Sequence, residues 1–577
     1  MTKNLICLTI IFLVSLVLSL PLLKPGFYTV HDDQQFARLF EFDKSIKSGQ
    51  IPPRWVQDLG FGFGYPLFVF YPPLVYYLGE ALHLLGFGYI DSIKIVFAIS
   101  IFGSALAMYI LVKELWGKYA ALVSSLFYIM APYRALDIYV RGALAEAFSF
   151  VWLPLILWSF YKMEKTKTPT YILLSGLFLA LLMVTHNLIF LPFMLIFPFF
   201  ILYLFLKSDN KKSFFLKNIF AFAFALGLSA FFWIPSLFEK KFTIVDQLLL
   251  VNLASYKIHF VYPQQLWNWP WGFGGSAPGL ADGISFKIGK IHIVSSLVAA
   301  CISIALILKS RTRPQLKLKN QYLIIVIFIL FIFSTFMTTF YSQFIWDLLT
   351  PLGYLQFPWR FLTFSVFFAS ILAGGLIYLV RLPIVRLLFS ILIITALIFP
   401  NLKLFEPQQY RVGLTDQIAT SKETINWETS LSSFEYLPKG IDLYKNNQGA
   451  NVAKISKTQV PKNRIEILSG LAQVDFLKND PSHLSFNINS QDSSKIQANI
   501  FNFPIWRLKI DGTEQKINDN NPLKLIIFSV PPGNHAVDLE FKNTTIRNLA
   551  NLITLTTFML FVMLVIFRHN HLIKTKS

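Results

Sequence analysis

Residues Tyr65–Leu85 read YPLFVFYPPLVYYLGEALHLL, and their placement decides the topology of the whole chain. The stretch is apolar and matches the roughly 20 residues needed to cross a ~30 Å hydrocarbon core. It also holds Pro66, Pro72, Pro73, Glu80 and His83. Prolines remove helical hydrogen bonds, and ionisable groups are costly at mid-membrane. If the stretch crossed, every later loop would change sides. The basic residues argue against that. Lys113 and Lys118 share one loop; Lys162, Lys165 and Lys167 the next; Lys207, Lys211, Lys212 and Lys217 another. Lys309, Arg311, Arg313, Lys317 and Lys319, then Arg381 and Arg386, then Arg568, Lys574 and Lys576 complete the set. With both termini cytoplasmic, all fall on one side, as the positive-inside rule expects. Tyr65–Leu85 therefore reads as an interfacial or re-entrant part of a first external loop, 24–91. Irregular backbone at membrane depth is tolerated only against protein or a water-filled cavity, so this loop is expected to wall a cavity.

Outward from that stretch, the sequence reads as a polytopic α-helical membrane protein with about twelve spans. These fall at 5–23, 92–112, 119–136, 143–161, 170–185, 188–206, 217–236, 291–309, 322–340, 360–380, 387–404 and 549–567. The composition agrees: 55% of the 577 residues are hydrophobic and only 14% charged, against about 25% charged in a soluble domain. The net charge of +20 resides mostly in short loops between apolar runs. That is a topology signal and not a basic readout face, which argues against a nucleic-acid partner. Cys7 and Cys301 both lie in apolar runs and suggest neither a disulfide nor a metal site. The run Leu5–Leu23 lacks a small-residue cleavage site and reads as a retained first span.

The chain then divides into a membrane domain, 1–404, a β-rich extracytoplasmic domain, 405–547, and a final span with a cytoplasmic tail, 548–577. Period-2 alternation marks the β-domain: Leu484, Phe486, Ile488; Ile496, Ala498, Ile500; Trp506, Leu508, Ile510. Asp511–Gly512 is a hairpin signal. Leu525–Val530 and Ala536–Phe541 flank a turn at Pro531–Pro532–Gly533. Short strands separated by turns predict a β-sandwich-like fold.

Candidate chemistry gathers in the external loops. His31, Asp32 and Asp33 follow the first span by a few residues. The adjacent carboxylates suit a general base or an acceptor-orienting group, and a divalent cation is a candidate ligand there. The alternative is a solvated loop, or an N-cap for a helix over 34–48. Arg54–Trp55 precedes Gly60-Phe-Gly-Phe-Gly-Tyr65, where alternating glycines suit close backbone approach to a ligand or an aromatic membrane anchor. Arg134, Asp137, Arg141 and Glu146 offer guanidinium groups for a lipid phosphate, or pair locally as Arg134–Asp137 and Arg141 with Asp137 or Glu146. His186 closes a short span and is either a ligand group or a satisfied helix end. Trp269, in Trp267-Asn-Trp-Pro-Trp271, suits sugar stacking or an interfacial belt. Arg360 at a span entry needs a partner, either an anionic head group or an acid of the first loop. The span centres carry almost no ionisable residues, which weighs against an ion-coupled transporter.

Several motifs taken together resemble a known group. They are Val30-His-Asp-Asp33, Gly64-Tyr-Pro-Leu-Phe68, Tyr71-Pro-Pro73, Pro132-Tyr-Arg134, Tyr139-Val-Arg-Gly-Ala-Leu-Ala-Glu146, Thr185-His-Asn187 and Leu355-Gln-Phe-Pro-Trp-Arg360. Asn502-Phe-Pro-Ile-Trp506 and Pro531-Pro-Gly-Asn-His535 extend the set into the β-domain. The chain resembles the bacterial membrane proteins labelled "6-pyruvoyl-tetrahydropterin synthase-related". Its plan is similar to GT-C glycosyltransferases and to YfhO-like proteins. The nine histidines are scattered, so the label predicts no pterin chemistry. The resemblance implies a bacterial cytoplasmic-membrane enzyme that transfers sugar from a polyprenyl-phosphate donor to a glycan or polypeptide acceptor, among membrane lipids. It implies Asp32, or else Asp33, as the carboxylate that acts as base or positions the acceptor. His31, Arg54, Tyr65, Arg134, Arg141, Glu146, His186, Trp269 and Arg360 are then candidates for substrate contact. The rival expectations are a lipid or lipid-linked-glycan flippase, and a non-catalytic envelope scaffold.

Overall fold

A run of apolar residues long enough to cross a membrane need not fold into one straight helix, and here some do not. The structure is a computed structural model that describes residues 2–166, 168–251, 254–313, 320–446 and 449–574. Lys167, Lys317, Lys319 and Lys576 of the basic loops lie outside the described residues. Eight described helices are long and apolar enough to span: Asn4–Leu23, Tyr89–Trp116, Leu144–Lys165, Asn187–Lys207, Lys290–Thr312, Pro358–Leu379, Pro383–Leu404 and Thr545–Ile566. The expected span 217–236 is a broken pair, Lys211–Leu228 and Ala230–Phe242, bent by 70°. Three more expected spans are short helices, Lys118–Ile129, Thr170–Thr185 and Gln321–Phe336. At 12 to 16 residues and ~1.5 Å per residue they reach only about 18–24 Å.

Burial sorts the helices into an inner and an outer set. Pro358–Leu379 is 89% buried along its apolar window, whereas Thr545–Ile566 is 6% buried. The inner helices place Ser124, Gly374 and Gly375 where backbones approach closely: a Cβ on Gly374 would lie 2.2 Å from the Ser124 hydroxyl. Small residues at such contacts are the usual means of packing helices in lipid.

Tyr65–Leu85 forms two short helices, Leu67–Phe70 and Leu74–Leu84, separated at Tyr71–Pro73. Pro72 and Pro73 interrupt the ladder there, and neither piece is long enough to cross. The other helix of the first loop, Gln35–Lys47, starts at Gln34 without a side-chain cap. Asp32 and Asp33 therefore do not act as its N-cap.

Two antiparallel sheets occupy residues 465–541. One runs β10-β9-β12-β7-β6 and the other β11-β8-β5. The strands are β5 Ile465–Ser469, β6 Ala472–Asp480, β7 His483–Ser490, β8 Ser494–Phe501, β9 Trp506–Ile510, β10 Thr513–Gln515, β11 Leu525–Val530 and β12 Gly533–Phe541. The alternating residues Leu484, Phe486, Ile488, Ile496, Ala498, Ile500 and Leu508 are all buried in one core. Asp511 and Gly512 both have positive φ, 52° and 78°, and close the β9–β10 hairpin. Pro531–Pro532 makes a different kind of turn from the one its flanks suggest. It carries the chain from the three-stranded sheet, β11, into the five-stranded one, β12. Proline cannot donate to a ladder, so it suits this crossing between sheets.

The first loop is locked to the C-terminal half. Strand β1, Phe27–Tyr28, pairs antiparallel with β2, Tyr410–Arg411. Gly60, Gly62 and Gly64 all adopt positive φ. A Cβ on Gly62 would meet the Asn426 side chain at 2.7 Å, and one on Gly64 the Trp55 indole at 2.7 Å. Phe63 carbonyl accepts from the Phe501 amide at 3.1 Å. Phe61 and Phe63 are buried. The glycine–aromatic run is thus an internal lock that packs against its own protein. Its buried aromatics do not form a membrane anchor.

Candidate functional site

A strained turn delivers Asp32 to its place. Residues Leu136–Arg141 form a π-helical segment that ends at Gly142 in the left-handed region, φ 67°. Only glycine fits there, because a Cβ would lie 2.8 Å from Val30. The freed carbonyls at the end of this segment hold the first loop. Val140 carbonyl accepts from the His31 amide at 3.2 Å and Arg141 carbonyl from the Asp32 amide at 2.7 Å. Gly142 carbonyl accepts from the Gln35 amide group at 3.2 Å. Asp32 is half-buried. Its carboxylate takes part in no hydrogen bond or ion pair among the described residues.

Asp32 lines a cavity of about 820 Å³, which also takes in Arg38, Arg141, His186, Arg360 and Glu435. Glu146 is fully buried in the wall. It accepts from Arg141 at 2.8 Å, from the Tyr133 hydroxyl at 2.7 Å and from Thr363 at 3.1 Å. Arg360 lies 3.9 Å from the same carboxylate, and its other anchor is the Leu355 carbonyl at 2.8 Å. The partner of Arg360 is therefore a helix-borne glutamate, not an acid of the first loop. Arg141 also bridges to Asp137 and stacks on Trp359 at 4.5 Å. His186 Nδ1 accepts from the Ile189 amide at 3.1 Å and caps Asn187–Lys207. It is both a satisfied helix end and a lining residue.

The wall opposite is built by residues that the sequence reading did not single out. Arg38, 5% exposed, donates to the Ser433 hydroxyl at 3.1 Å, lies 3.9 Å from Glu435 and stacks over Tyr71 at 4.1 Å. Its Nε, like that of Arg360, is buried without a hydrogen-bond partner. Desolvation lifts the Glu435 carboxyl above its ordinary range, against the pull of Arg38. Lys240 binds Asp246 at 3.1 Å and the Tyr354 hydroxyl. Beyond the charges the lining turns apolar, with Leu188, Leu191, Leu237, Leu248, Leu249 and Val251. The lining thus combines cationic groups with apolar side chains.

Other expected site residues lie elsewhere. Arg134 is fully buried, donating to the Ala147 carbonyl and, at 2.9 Å, to Ser100, with its guanidinium over Phe150. It pairs with neither Asp137 nor a ligand cavity. The π-segment explains this. Residues 134 and 141 would share a face of a regular helix, and the wider i→i+5 turn rotates Arg141 away. Arg54 is buried on Asn551, at 3.0 Å. Tyr65 is buried with its hydroxyl on Ser433 at 2.8 Å. His31 is exposed and bonds the Phe273 carbonyl at 3.0 Å. Asp33 is exposed and outside the cavity lining. Trp269 donates to the Asp282 carbonyl within its own loop. Among the described residues no three His, Cys, Asp or Glu side chains are grouped as a metal site.

Apolar helices long enough to span define the class: an integral membrane protein, here with a cavity lined by both charged and apolar residues. The chain belongs to the family described as "6-pyruvoyl-tetrahydropterin synthase related domain; membrane protein", which matches residues 68–407. It is also similar to an uncharacterized protein of Lactococcus lactis subsp. cremoris (strain MG1363), with 23% identity over 248 residues, 40% of this chain and 39% of that protein. Among solved structures it is similar to the arabinofuranosyltransferase AftD from Mycobacteria, with a TM-score of 0.41, 12% identity, and coverage of 70% of this chain and 27% of that one. The chain thus spans well under half the length of either protein. A likeness of that degree carries no argument about activity.

Proposed function

We propose that the protein is a membrane glycosyltransferase that moves a sugar from a polyprenyl-phosphate donor to an acceptor hydroxyl at the extracytoplasmic face. The observation that carries this reading is the meeting of Asp32, whose carboxylate has no hydrogen bond or ion pair among the described residues, with Arg38, Arg141, Arg360 and a set of leucines in one cavity. Arginine forks match phosphate oxygens. The leucines of the lining suit the prenyl chain, and the Arg38 Nε keeps a donor without a hydrogen bond among the described residues.

In the proposed step the acceptor oxygen attacks the anomeric carbon while Asp32 takes its proton. The bond from that carbon to the phosphate oxygen breaks, and polyprenyl phosphate leaves with the electron pair. The guanidinium groups meet the growing charge on the leaving oxygen. Attack opposite the leaving group inverts the anomeric centre. Glu146 holds Arg141 and Arg360 in place and does not touch substrate. The two sheets lie on the extracytoplasmic side in this reading, with both termini cytoplasmic.

The test is sugar release from a panel of labelled polyprenyl-phosphate sugars, with the protein in nanodiscs. Asp32→Asn should cut turnover roughly 10²–10⁴-fold, the usual contribution of a general base, and leave donor binding intact. Asp33→Asn should match wild type. Equal activity of wild type and Asp32→Asn would remove the base from the mechanism. Donor binding without turnover for any acceptor would favour a flippase.

A further inference from the structure

A second pocket, of about 670 Å³, opens between the first loop, the segment around 422–427 and the edge of the five-stranded sheet. None of its lining residues is shared with the cavity. Its charges do not balance. Lys422, Lys457, Lys462 and Arg464 face Asp58 and Glu423. Glu423 is taken by Lys457 and Asp58 by Lys44. That leaves Lys422, Lys462 and Arg464 without an ion pair among the described residues.

Arg464 is the informative member. Its Nε and Nη2 are shut off from solvent and have no hydrogen-bond partner. Leaving a buried donor unmet is costly, and more so when the group is charged. The backbone at this point is held at two carbonyls. Arg464 carbonyl accepts from the Asn499 amide at 2.8 Å, and Asn463 carbonyl from the Asn499 side chain at 2.8 Å. Aromatic faces stand beside the cations. Trp427 lines the pocket with its edge on Phe61, ring centroids 5.8 Å apart. Phe476, on β6, is 43% exposed. Asn426, Asn479 and Gln57 add amide groups.

Unmet guanidinium donors select a carboxylate or phosphate. The negative face of an aromatic ring attracts the C–H edges of a pyranose, and amides bond hydroxyls. We propose that this pocket binds an acidic sugar unit of an oligosaccharide, its anion on Arg464 and its ring against Trp427 and Phe476. The site stands whether or not the cavity transfers a sugar.

The test is equilibrium binding of fluorescently labelled trigalacturonate to the full chain in nanodiscs, beside maltotriose and inorganic phosphate. Trigalacturonate should bind in a salt-sensitive manner, at least tenfold more tightly than either comparator. Arg464→Gln should weaken it at least tenfold with an unchanged melting curve. If that variant fails to fold, the exposed double variant Lys422→Gln, Lys462→Gln decides, with a loss of threefold or more expected. The proposal is overturned by no binding of trigalacturonate, by equal binding of maltotriose or of phosphate, or by variants that bind as wild type does.

Discussion

Two glutamates in this chain each gather arginines in the protein interior, to different ends. Glu146 holds Arg141 and Arg360 beside a cavity of about 820 Å³. Glu239 takes both prongs of Arg547, at 2.6 and 3.0 Å, with Arg54 near enough to feel both charges. Arg547 is fully buried, and neither it nor Glu239 lines a described pocket. The second cluster joins the broken helix Ala230–Glu239, the last helix and the first loop. Buried charge at Glu146 borders open space and can meet a ligand. At Glu239 it meets only protein. Residue type alone does not separate the two roles; adjacent volume does.

The contrast can be broken by measurement. The largest effect is expected at the closed cluster. Arg547→Ala leaves the Glu239 carboxylate buried without its cation, held only by the Thr544 hydroxyl at 3.2 Å, which should cost about 3–5 kcal/mol of stability in an SDS-titration unfolding assay. Donor affinity of the surviving folded fraction should not change, and a folded variant that loses donor binding would erase the distinction. Next comes the open cluster. Arg360→Lys keeps the charge and loses the planar fork, so donor affinity should fall roughly tenfold, about 1.4 kcal/mol, with the unfolding midpoint near wild type. A large stability loss and unaltered affinity would recast Arg360 as a structural tie like Arg547. The smallest effect sharpens the opposite wall. Burial raises the Glu435 carboxyl, so it takes up a proton above the ordinary glutamate range. Protonation removes a negative charge facing Arg38. Affinity for an anionic donor should therefore rise a few-fold as pH falls through the Glu435 transition, and Glu435→Gln should flatten that profile at its upper level. A variant that keeps the wild-type slope would assign the dependence to another group.

Much of this was legible in the sequence because it rests on patterning. Apolar runs marked the helices, and alternation marked β7, β8 and β9 residue by residue. The positions of Asp32, Arg141, Glu146, His186 and Arg360 near the ends of apolar runs were readable from the sequence. Arg38 was not, because an arginine within a polar-looking helix carries no local signal. Its role arises from Ser433 and Glu435, almost 400 positions away. Arg134 and Arg141 looked equivalent because regular helical spacing puts them together. The π-segment that separates them has no composition signature. The alternating glycines of 60–64 misled for a related reason: Gly62 is kept small by Asn426 and Pro461, and Gly60 in part by Phe501, all far along the chain.

The pairing of β1 with β2 sets a timetable. Thr29 and Gln409 share a backbone hydrogen bond across 380 residues. A ribosome adding ~5–20 residues per second needs roughly 20–75 s to travel between them. Throughout that interval the newly made first loop has Trp55, Phe61 and Phe63 without the Trp506, Trp427 and Phe501 rings that later cover them. The site around Asp32 is thus begun by the first loop and finished about 400 residues later by Ser433 and Glu435. A nascent chain released early would carry an unfinished loop that is a natural mark for proteases and chaperones.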